Sequence, residues 1–122
     1  MADDMPASFG IARADLNGAP GLAVSGEVDI AVVPALERAL DAAIRDTIGA
    51  FVLDLCDLEF LDSRGLAVLL RARALLARDE RALAIVCPPG NVRRLFEVAG
   101  VADLLFLYDA REDVAAELVP RA

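Results

Sequence analysis

Apolar and polar residues alternate along the first part of the chain. Residues 9–13 and 22–28 place mainly apolar side chains on one face of a strand and small or polar ones on the other. This period of two is typical of half-buried strands. The sequence between them, Asn17-Gly18-Ala19-Pro20-Gly21, is rich in turn-forming residues. Together these features predict an antiparallel hairpin.

From residue 34 onwards the apolar spacing becomes that of helices. Pro34 suits a first helical turn, and Leu36, Leu40 and Ile44 follow at intervals that put them on one helix face. Helices and short apolar strands then alternate along the chain. The predicted strands are 51–55, 83–87 and 104–107, and the predicted helices after the first are 64–78, 91–99 (followed by Gly100 as its C′ residue) and one that Asp109 and Glu112 open as a capping box.

Strands that alternate with helices are joined as parallel pairs by helical crossovers. With the hairpin, this order predicts an α/β fold with a mixed β-sheet of about five strands. The sheet is expected to be antiparallel at the N-terminal hairpin and parallel afterwards, with about four α-helices. We expect a flexible N-terminal arm over residues 1–8 and a single domain over residues 9–118.

The composition is that of a globular protein and narrows its range of partners. Apolar residues make up 57% of the chain and tryptophan is absent, so we expect a core of Leu, Val, Ile and Ala. The net charge of −8 argues against direct binding of nucleic acid and against insertion at an anionic membrane, since both attract basic surfaces. No signal peptide or long apolar span is present, and we expect a cytoplasmic protein.

Several kinds of catalytic site are excluded by residue types that the chain lacks. It has no histidine and no lysine, so all 12 basic residues are arginine. Ser-His and Cys-His nucleophiles, a Schiff-base lysine and a Walker-type phosphate lysine are therefore excluded. We expect a protein that is not an enzyme and uses no cofactor. Cys56 and Cys87 are expected to be small buried side chains, outside any disulfide or metal site.

A group of acidic residues after the third strand suggests an alternative, a magnesium-binding receiver domain. The group consists of Asp54, Asp57, Glu59 and Asp62, and carboxylates are ligands that Mg²⁺ prefers. Receiver domains also use a lysine late in the sheet and an acidic pair after the first strand. This sequence has no lysine, and its only adjacent pair of aspartates precedes every predicted strand, so we expect no metal site.

Candidate chemistry lies where the third strand gives way to the second helix. Ser63 stands at the predicted helix start, where serine is a preferred N-cap and Asp62 favours the positive end of the helix dipole. A purely structural cap is one interpretation. The other is a phosphate acceptor, because a phosphate would add about −1.5 to −2 charges and unpaired helix-start amides can accept it. The small size of Gly65 would allow either the close approach of a partner backbone or close packing of the helix against the sheet. Leu66 is expected to anchor the helix, either in the core or partly exposed beside the site.

Three segments of the chain carry a resemblance to a known family. Phe60-Leu61-Asp62-Ser63-Arg64-Gly65-Leu66 resembles the signature of bacterial anti-sigma factor antagonists, which are STAS domains. Upstream, Ser25-Gly26-Glu27-Val28-Asp29 is similar to the Gly-Glu-hydrophobic-Asp strand end of that family. Downstream, the segment 92–101 is similar to its third-helix region, with Arg94-Leu95-Phe96 in place. The resemblance extends over about residues 9 to 118 and implies a STAS-like fold.

The resemblance also implies a function based on partner switching. In the family, the unphosphorylated antagonist binds an anti-sigma factor and releases the sigma factor. The anti-sigma factor is itself a serine kinase that phosphorylates the antagonist, and a protein serine phosphatase resets it. The phosphoacceptor position corresponds to Ser63. Asp29 and Asp62 correspond to acidic positions near the kinase-facing surface of the family. They are candidates for partner contact, together with Arg64, Gly65 and Leu66. The alternative for the two aspartates is that they order a loop or cap a helix.

One residue departs from the family pattern. Many phosphorylated members have Ser or Thr after the motif serine, where this chain has Arg64. Arg64, Arg71 and Arg78 fall seven residues apart and would form an exposed basic stripe on the helix, although Arg64 could instead pair with a phosphate on Ser63 or with an acidic partner. The remaining alternative is a STAS domain that docks, without phosphorylation, in a transporter, lipid-transport or stress-sensing complex. The oligomeric state is left open.

Overall fold

The N-terminal hairpin forms as the sequence predicts. The computed structural model describes residues 9–114, beginning with β1 (Phe9–Leu16), which pairs antiparallel with β2 (Ala19–Val28). Asn17 and Gly18 connect them with φ values of 55° and 89°. Two successive residues with positive φ are what a two-residue hairpin turn requires, because their twist matches that of the strands.

The rest of the sheet is parallel, as expected. The remaining elements are α1 (Val33–Arg45), β3 (Phe51–Asp54), β4 (Leu58–Leu61), α2 (Ser63–Arg78), β5 (Leu83–Val86), α3 (Asn91–Val98) and β6 (Phe106–Tyr108), with short 3₁₀ turns at Ala102–Leu104 and Arg111–Asp113. The strands lie in the sheet in the order β1-β2-β3-β5-β6, with β4 paired to β2. Gly100 follows α3 with a φ of 75°, which confirms it as the residue that ends the helix.

One strand was not predicted. The segment after β3, expected to be a loop, contains β4, which runs parallel to the end of β2 and makes this a six-stranded sheet. Its two outer residues are buried and its two inner residues exposed, because the register shifts between Gly26 and Glu27. A four-residue strand with that pattern shows no alternation, so its sequence carries no strand signal.

The predicted last helix is also corrected. Residues 9–114 contain three α-helices instead of about four, and a 3₁₀ turn at Arg111–Asp113 lies where the fourth was expected to begin. Asp109 does not cap it, because its carboxylate accepts a hydrogen bond from Arg93 at 2.7 Å. The later part of that predicted helix and the predicted arm over residues 1–8 lie outside the described residues.

Two apolar clusters lie on opposite faces of the sheet. The larger one packs the helices against the sheet and includes the fully buried Phe51 and Phe96. The smaller one lies on the other face and consists of Ala19, Val52, Ala84, Val86 and Val114. The core is therefore largely aliphatic, as predicted. Within residues 9–114, no helix combines the length and hydropathy needed to span a membrane.

Both cysteines have the character expected of small core residues. Cys87 is buried, Cys56 is half-buried, and neither is in a disulfide. Burial raises the pKa of both thiols to about 11, and for Cys56 the hydrogen bond with Asp54 contributes as well. The thiols are therefore protonated at neutral pH and poorly reactive.

Candidate functional site

The site lies where β2 and β4 end side by side. In this parallel pair Val28 is opposite Leu61, so Asp29 and Asp62 leave the same edge of the sheet next to each other. The amide of Asp62 donates to the carbonyl of Val28 at 3.3 Å, which extends the pairing by one residue. Carboxyl ends of parallel strands are where α/β folds usually build sites.

Asp62, and not Ser63, is the N-cap of α2. Its backbone is extended, with φ −95° and ψ −179°, and its Oδ1 accepts hydrogen bonds from the amides of Arg64 and Gly65, each at 3.0 Å. The interpretation of Ser63 as a cap is therefore wrong, because Ser63 already occupies the first helical position. An N-cap must be the non-helical residue whose side chain reaches the second and third amides, and Asp62 holds that place.

Ser63 is left with a free hydroxyl. The residue is exposed, and no hydrogen bond from its side chain is found to any residue between 9 and 114. Two of the helix-start amides that the sequence offered to a phosphate are occupied by the Asp62 carboxylate. A phosphate on Ser63 would therefore share the helix start with a carboxylate and would not inherit an empty anion site.

Gly65 and Leu66 lie beneath this surface. A Cβ atom on Gly65 would come within 2.5 Å of Leu61 Cδ1 and 2.8 Å of Val28 Cγ1. The glycine therefore lets α2 pack closely on the two strand ends, which decides between the two roles considered for it. Leu66 is only 6% exposed and belongs to the main core. Both residues hold the helix start in place from below.

Asp29 orders the turn that leads into α1. Its Oδ1 accepts a hydrogen bond from the amide of Ala31 at 2.9 Å, and its carbonyl accepts from the amide of Val32 at 3.1 Å. The N-cap of α1 is Val32, which makes no side-chain cap. Asp29 is nevertheless exposed, so its carboxylate is accessible beside the start of α2.

The predicted arginine stripe is only partly correct. Arg64 and Arg78 are exposed and form no ion pair with any other described residue. Arg71, however, binds Asp41 of α1 at 3.1 Å and lies 3.4 Å from Glu37. The hydrogen bond with Asp41 raises the pKa of Arg71. Arg71 therefore links α1 to α2, whereas the Arg64 guanidinium, next to Ser63, has no ion-pair partner among residues 9–114.

The acidic group proposed for magnesium does not form a metal site. Within residues 9–114 no three His, Cys, Asp or Glu side chains are placed to hold an ion. Asp54 is instead bound by the side chain of Arg111 and the amide of Cys56. Burial by itself raises the pKa of Asp54, but the hydrogen bonds from Arg111 and Cys56 outweigh it, and the pKa lies below its ordinary value. A carboxylate held by a guanidinium is a poor cation ligand.

Two apolar residues near the site were missed by sequence reasoning. Ile30, directly after Asp29, is 58% exposed, and Phe60 of β4 is 43% exposed. Phe60 was singled out only as part of the family motif and not as a surface residue, because no strand was predicted for the segment that contains it. Ile30 could have been found as an apolar residue in a turn. Both add apolar surface to an edge that is otherwise polar.

Most of the chain is similar to STAS domains and to anti-sigma factor antagonists. A family model described as "Mlab, STAS domain" matches residues 12–108. The chain is 30% identical over 108 residues to the anti-sigma-F factor antagonist RsfB of Mycobacterium tuberculosis, covering 88% of each protein. It is 29% identical over 89 residues to the anti-sigma-B factor antagonist of Staphylococcus aureus, covering 73% of this chain and 82% of the relative.

A solved structure agrees with these sequence relatives. The crystal structure of an anti-sigma factor antagonist from Mycobacterium paratuberculosis superposes with a TM-score of 0.76 at 30% identity, covering 88% of this chain and 92% of that one. The two proteins therefore share their fold over most of both chains.

Proposed function

The chain belongs to the STAS domain family of anti-sigma factor antagonists, and on that premise we propose that it is an anti-sigma factor antagonist controlled by phosphorylation of Ser63. In its unphosphorylated form it binds an anti-sigma factor in the cytoplasm and so releases a sigma factor. The anti-sigma factor acts as the serine kinase, and a protein serine phosphatase reverses the modification. The chain is a substrate in this cycle and not an enzyme.

The free hydroxyl of Ser63 carries this proposal. Because Asp62 caps α2, Ser63 is not needed to hold the helix start, and its exposed side chain can enter a kinase site without unfolding the domain. A serine that served as the cap would have to break its own hydrogen bonds to react. The structure thus supports separate residues for the structural role and the regulatory role.

The electrostatics of the site explain how a phosphate would act. A phosphate adds about −1.5 to −2 charges, and here it would lie beside the carboxylates of Asp62 and Asp29. Asp62 keeps two of the nearest amides occupied, so much of the added charge would face solvent or a partner. The change would act at the interface and leave the core intact.

The proposed partner surface surrounds the hydroxyl. It consists of the exposed residues Asp29, Ile30, Ser63 and Arg64 and the half-buried Asp62, with Gly65 and Leu66 supporting it from the core. Arg64 is the one cation in this set, so it would pair either with an acidic group of the partner or with the phosphate. Ile30 would supply apolar contact area.

Binding to a candidate anti-sigma kinase tests the proposal. Ser63→Asp is expected to weaken the affinity at least about tenfold, a change of about 1.4 kcal/mol, as measured by calorimetry. Ser63→Ala should bind like the wild type but accept no phosphate from the kinase and ATP, as measured by peptide mass spectrometry. Ala67→Asp, which adds a carboxylate at an exposed position one turn along α2, is the matched control and should weaken binding less.

Equal affinity of wild type, Ser63→Ala and Ser63→Asp for a partner that binds the wild type would contradict the switch. Stable association with a complex that contains no kinase, with Ser63 unmodified, would favour the docking subunit instead.

A further inference from the structure

One buried carboxylate is not used by the proposed function. Asp54, at the end of β3, is 5% exposed and is the only buried charged residue between 9 and 114. It lies two residues after Val52, so it shares the sheet face of the smaller apolar cluster. A carboxylate in such a position requires partners, because an unpaired buried charge is costly.

Arg111 supplies the charged partner from a distant part of the chain. Its Nε donates to Asp54 Oδ2 at 2.5 Å, and its NH2 group lies 3.5 Å from Asp57 Oδ2. The other carboxylate oxygen of Asp54 accepts from the amide of Cys56 at 3.0 Å. Arg111 therefore holds the Asp54 end of the short segment Asp54–Asp57 closely and touches its Asp57 end only through a long contact to an exposed carboxylate.

That segment leads directly into β4, the strand that precedes Asp62 and Ser63. The carbonyl of Asp57 accepts from the amide of Gly26 at 3.0 Å, where β2 shifts its register, and the amide of Leu58 donates to the carbonyl of Leu55 at 3.1 Å. β4 then spans four residues and pairs with β2. Its other cross-link is a hydrogen bond from the Asn91 side chain to the carbonyl of Glu59 at 2.9 Å.

β4 is held by its pairing with β2 and by the burial of Leu58 and Leu61 in the main core, and the segment Asp54–Asp57 leads directly into its first residue. We propose that Arg111 is a positioning residue: by clamping the buried carboxylate of Asp54 it sets the place of β4, and through β4 that of Asp62 and Ser63. The consequence for phosphate transfer rests on the proposed function, whereas the clamp itself does not. The arginine lies nearly fifty residues after the serine that it positions.

Hydrogen exchange on the full chain tests the clamp without any partner. In Arg111→Met the amides of Gly26, Leu58 and Asp62 should exchange at least about tenfold faster than in the wild type. The amide of Ile85 in β5 serves as an internal reference and should change less. Asp57→Asn is the matched control; it alters only the longer contact, to an exposed carboxylate, and should stay within about twofold of wild type.

Arg111→Lys keeps the charge but loses the planar fork, so it should give exchange rates between those of Arg111→Met and the wild type. Unchanged rates at the three amides in Arg111→Met would overturn the proposal. An increase shared equally by Ile85 would overturn it too, since it would show general destabilisation.

Phosphate transfer to Ser63 by an anti-sigma kinase and ATP tests whether Arg111, through β4, also positions Ser63. We expect Arg111→Met to be phosphorylated about tenfold more slowly than Asp57→Asn. Faster exchange with an unchanged transfer rate would overturn the link to Ser63. If the wild type accepts no phosphate, the proposed function fails, and the exchange experiment still decides whether Arg111 clamps β4.

Discussion

Two of the helices that follow the carboxyl ends of parallel strands, α1 and α2, start in different ways, although an aspartate precedes each. Asp62 directly precedes α2 and bonds the amides of Arg64 and Gly65. Asp29 precedes α1 by four residues and bonds the amide of Ala31 in the intervening turn. α1 has instead a proline in its first turn and no side-chain cap.

The difference lies in the distance from the aspartate to the helix. Val28 and Leu61 are opposite each other in the sheet, so the chain leaves at equivalent points. After β4 the helix begins at once, which makes the aspartate a cap and puts Ser63 in the first turn. After β2 a turn intervenes, and the aspartate orders that turn. Only the start of α2 combines a satisfied cap with a free hydroxyl, as the proposed switch requires.

The largest effect is expected from the close packing that only α2 has. Gly65→Val would bring its side chain into Leu61 and Val28, and we expect a loss of about 2–3 kcal/mol in unfolding free energy, as for other overpacked sites. Ala67→Val, exposed on the same helix, should cost less than about 1 kcal/mol, the difference in helix propensity. Urea denaturation measures both, and equal losses would show that the packing around Gly65 relaxes.

An intermediate loss of unfolding free energy is expected when Asp62 or Asp29 is replaced by alanine. Asp62→Ala should lower the unfolding free energy by about 1 kcal/mol, as for lost N-caps. Asp29→Ala should lower it by less than about 0.5 kcal/mol, as is usual for exposed positions. Asp62→Asn keeps a good cap and should stay close to the wild type. If both alanine variants lose the same free energy, the distinction between cap and turn is wrong.

The smallest effect is a change of stability with pH that involves Asp54, at the carboxyl end of β3, and this change appears only at acid pH. Asp54 is buried and bound by Arg111, and its pKa lies below the ordinary value of 3.8. A lowered pKa stabilises the fold above the unfolded value, and this contribution is lost as the pH falls through the lowered one. The stability difference between wild type and Asp54→Asn should therefore be constant from pH 7 to about 5 and shrink below 3.8.

Urea denaturation at pH 7, 5, 4 and 3 measures that difference, and the comparison cancels the titration of the other acids. A difference that persists unchanged at the lowest pH would mean that the Asp54 carboxylate keeps its ordinary pKa in the fold.

The sequence predicted those elements whose apolar periodicity is local. The helix over 64–78 agrees closely with α2, and the hairpin turn at Asn17-Gly18 needed only two residues that tolerate positive φ. β4 could not be predicted in the same way, because the order of buried and exposed residues along it depends on its shifted register with β2. The predicted start of the fourth helix was wrong for a related reason: Asp109, an apparent cap, is bound by Arg93.

In the candidate site, too, some features could be predicted from local sequence and others required the structure. The motif from Phe60 to Leu66 and the segments around Asp29 and Arg94 were sufficient for the sequence alone to indicate the family and to single out Ser63. Assigning the cap required backbone angles, because Asp62 and Ser63 are adjacent and both residue types cap helices well. The role of Gly65 required the positions of Leu61 and Val28.

The sequence by itself thus determined the hairpin, the alternation of strands and helices other than β4, the aliphatic core, the family and the serine at the helix start, because spacing and motif are properties of neighbouring residues. Only the tertiary structure decided that Asp62 is the cap, that β2 and β4 end together, and that Arg111 holds Asp54 across 57 residues of chain. Such contacts depend on how distant segments pack, and no local pattern encodes them.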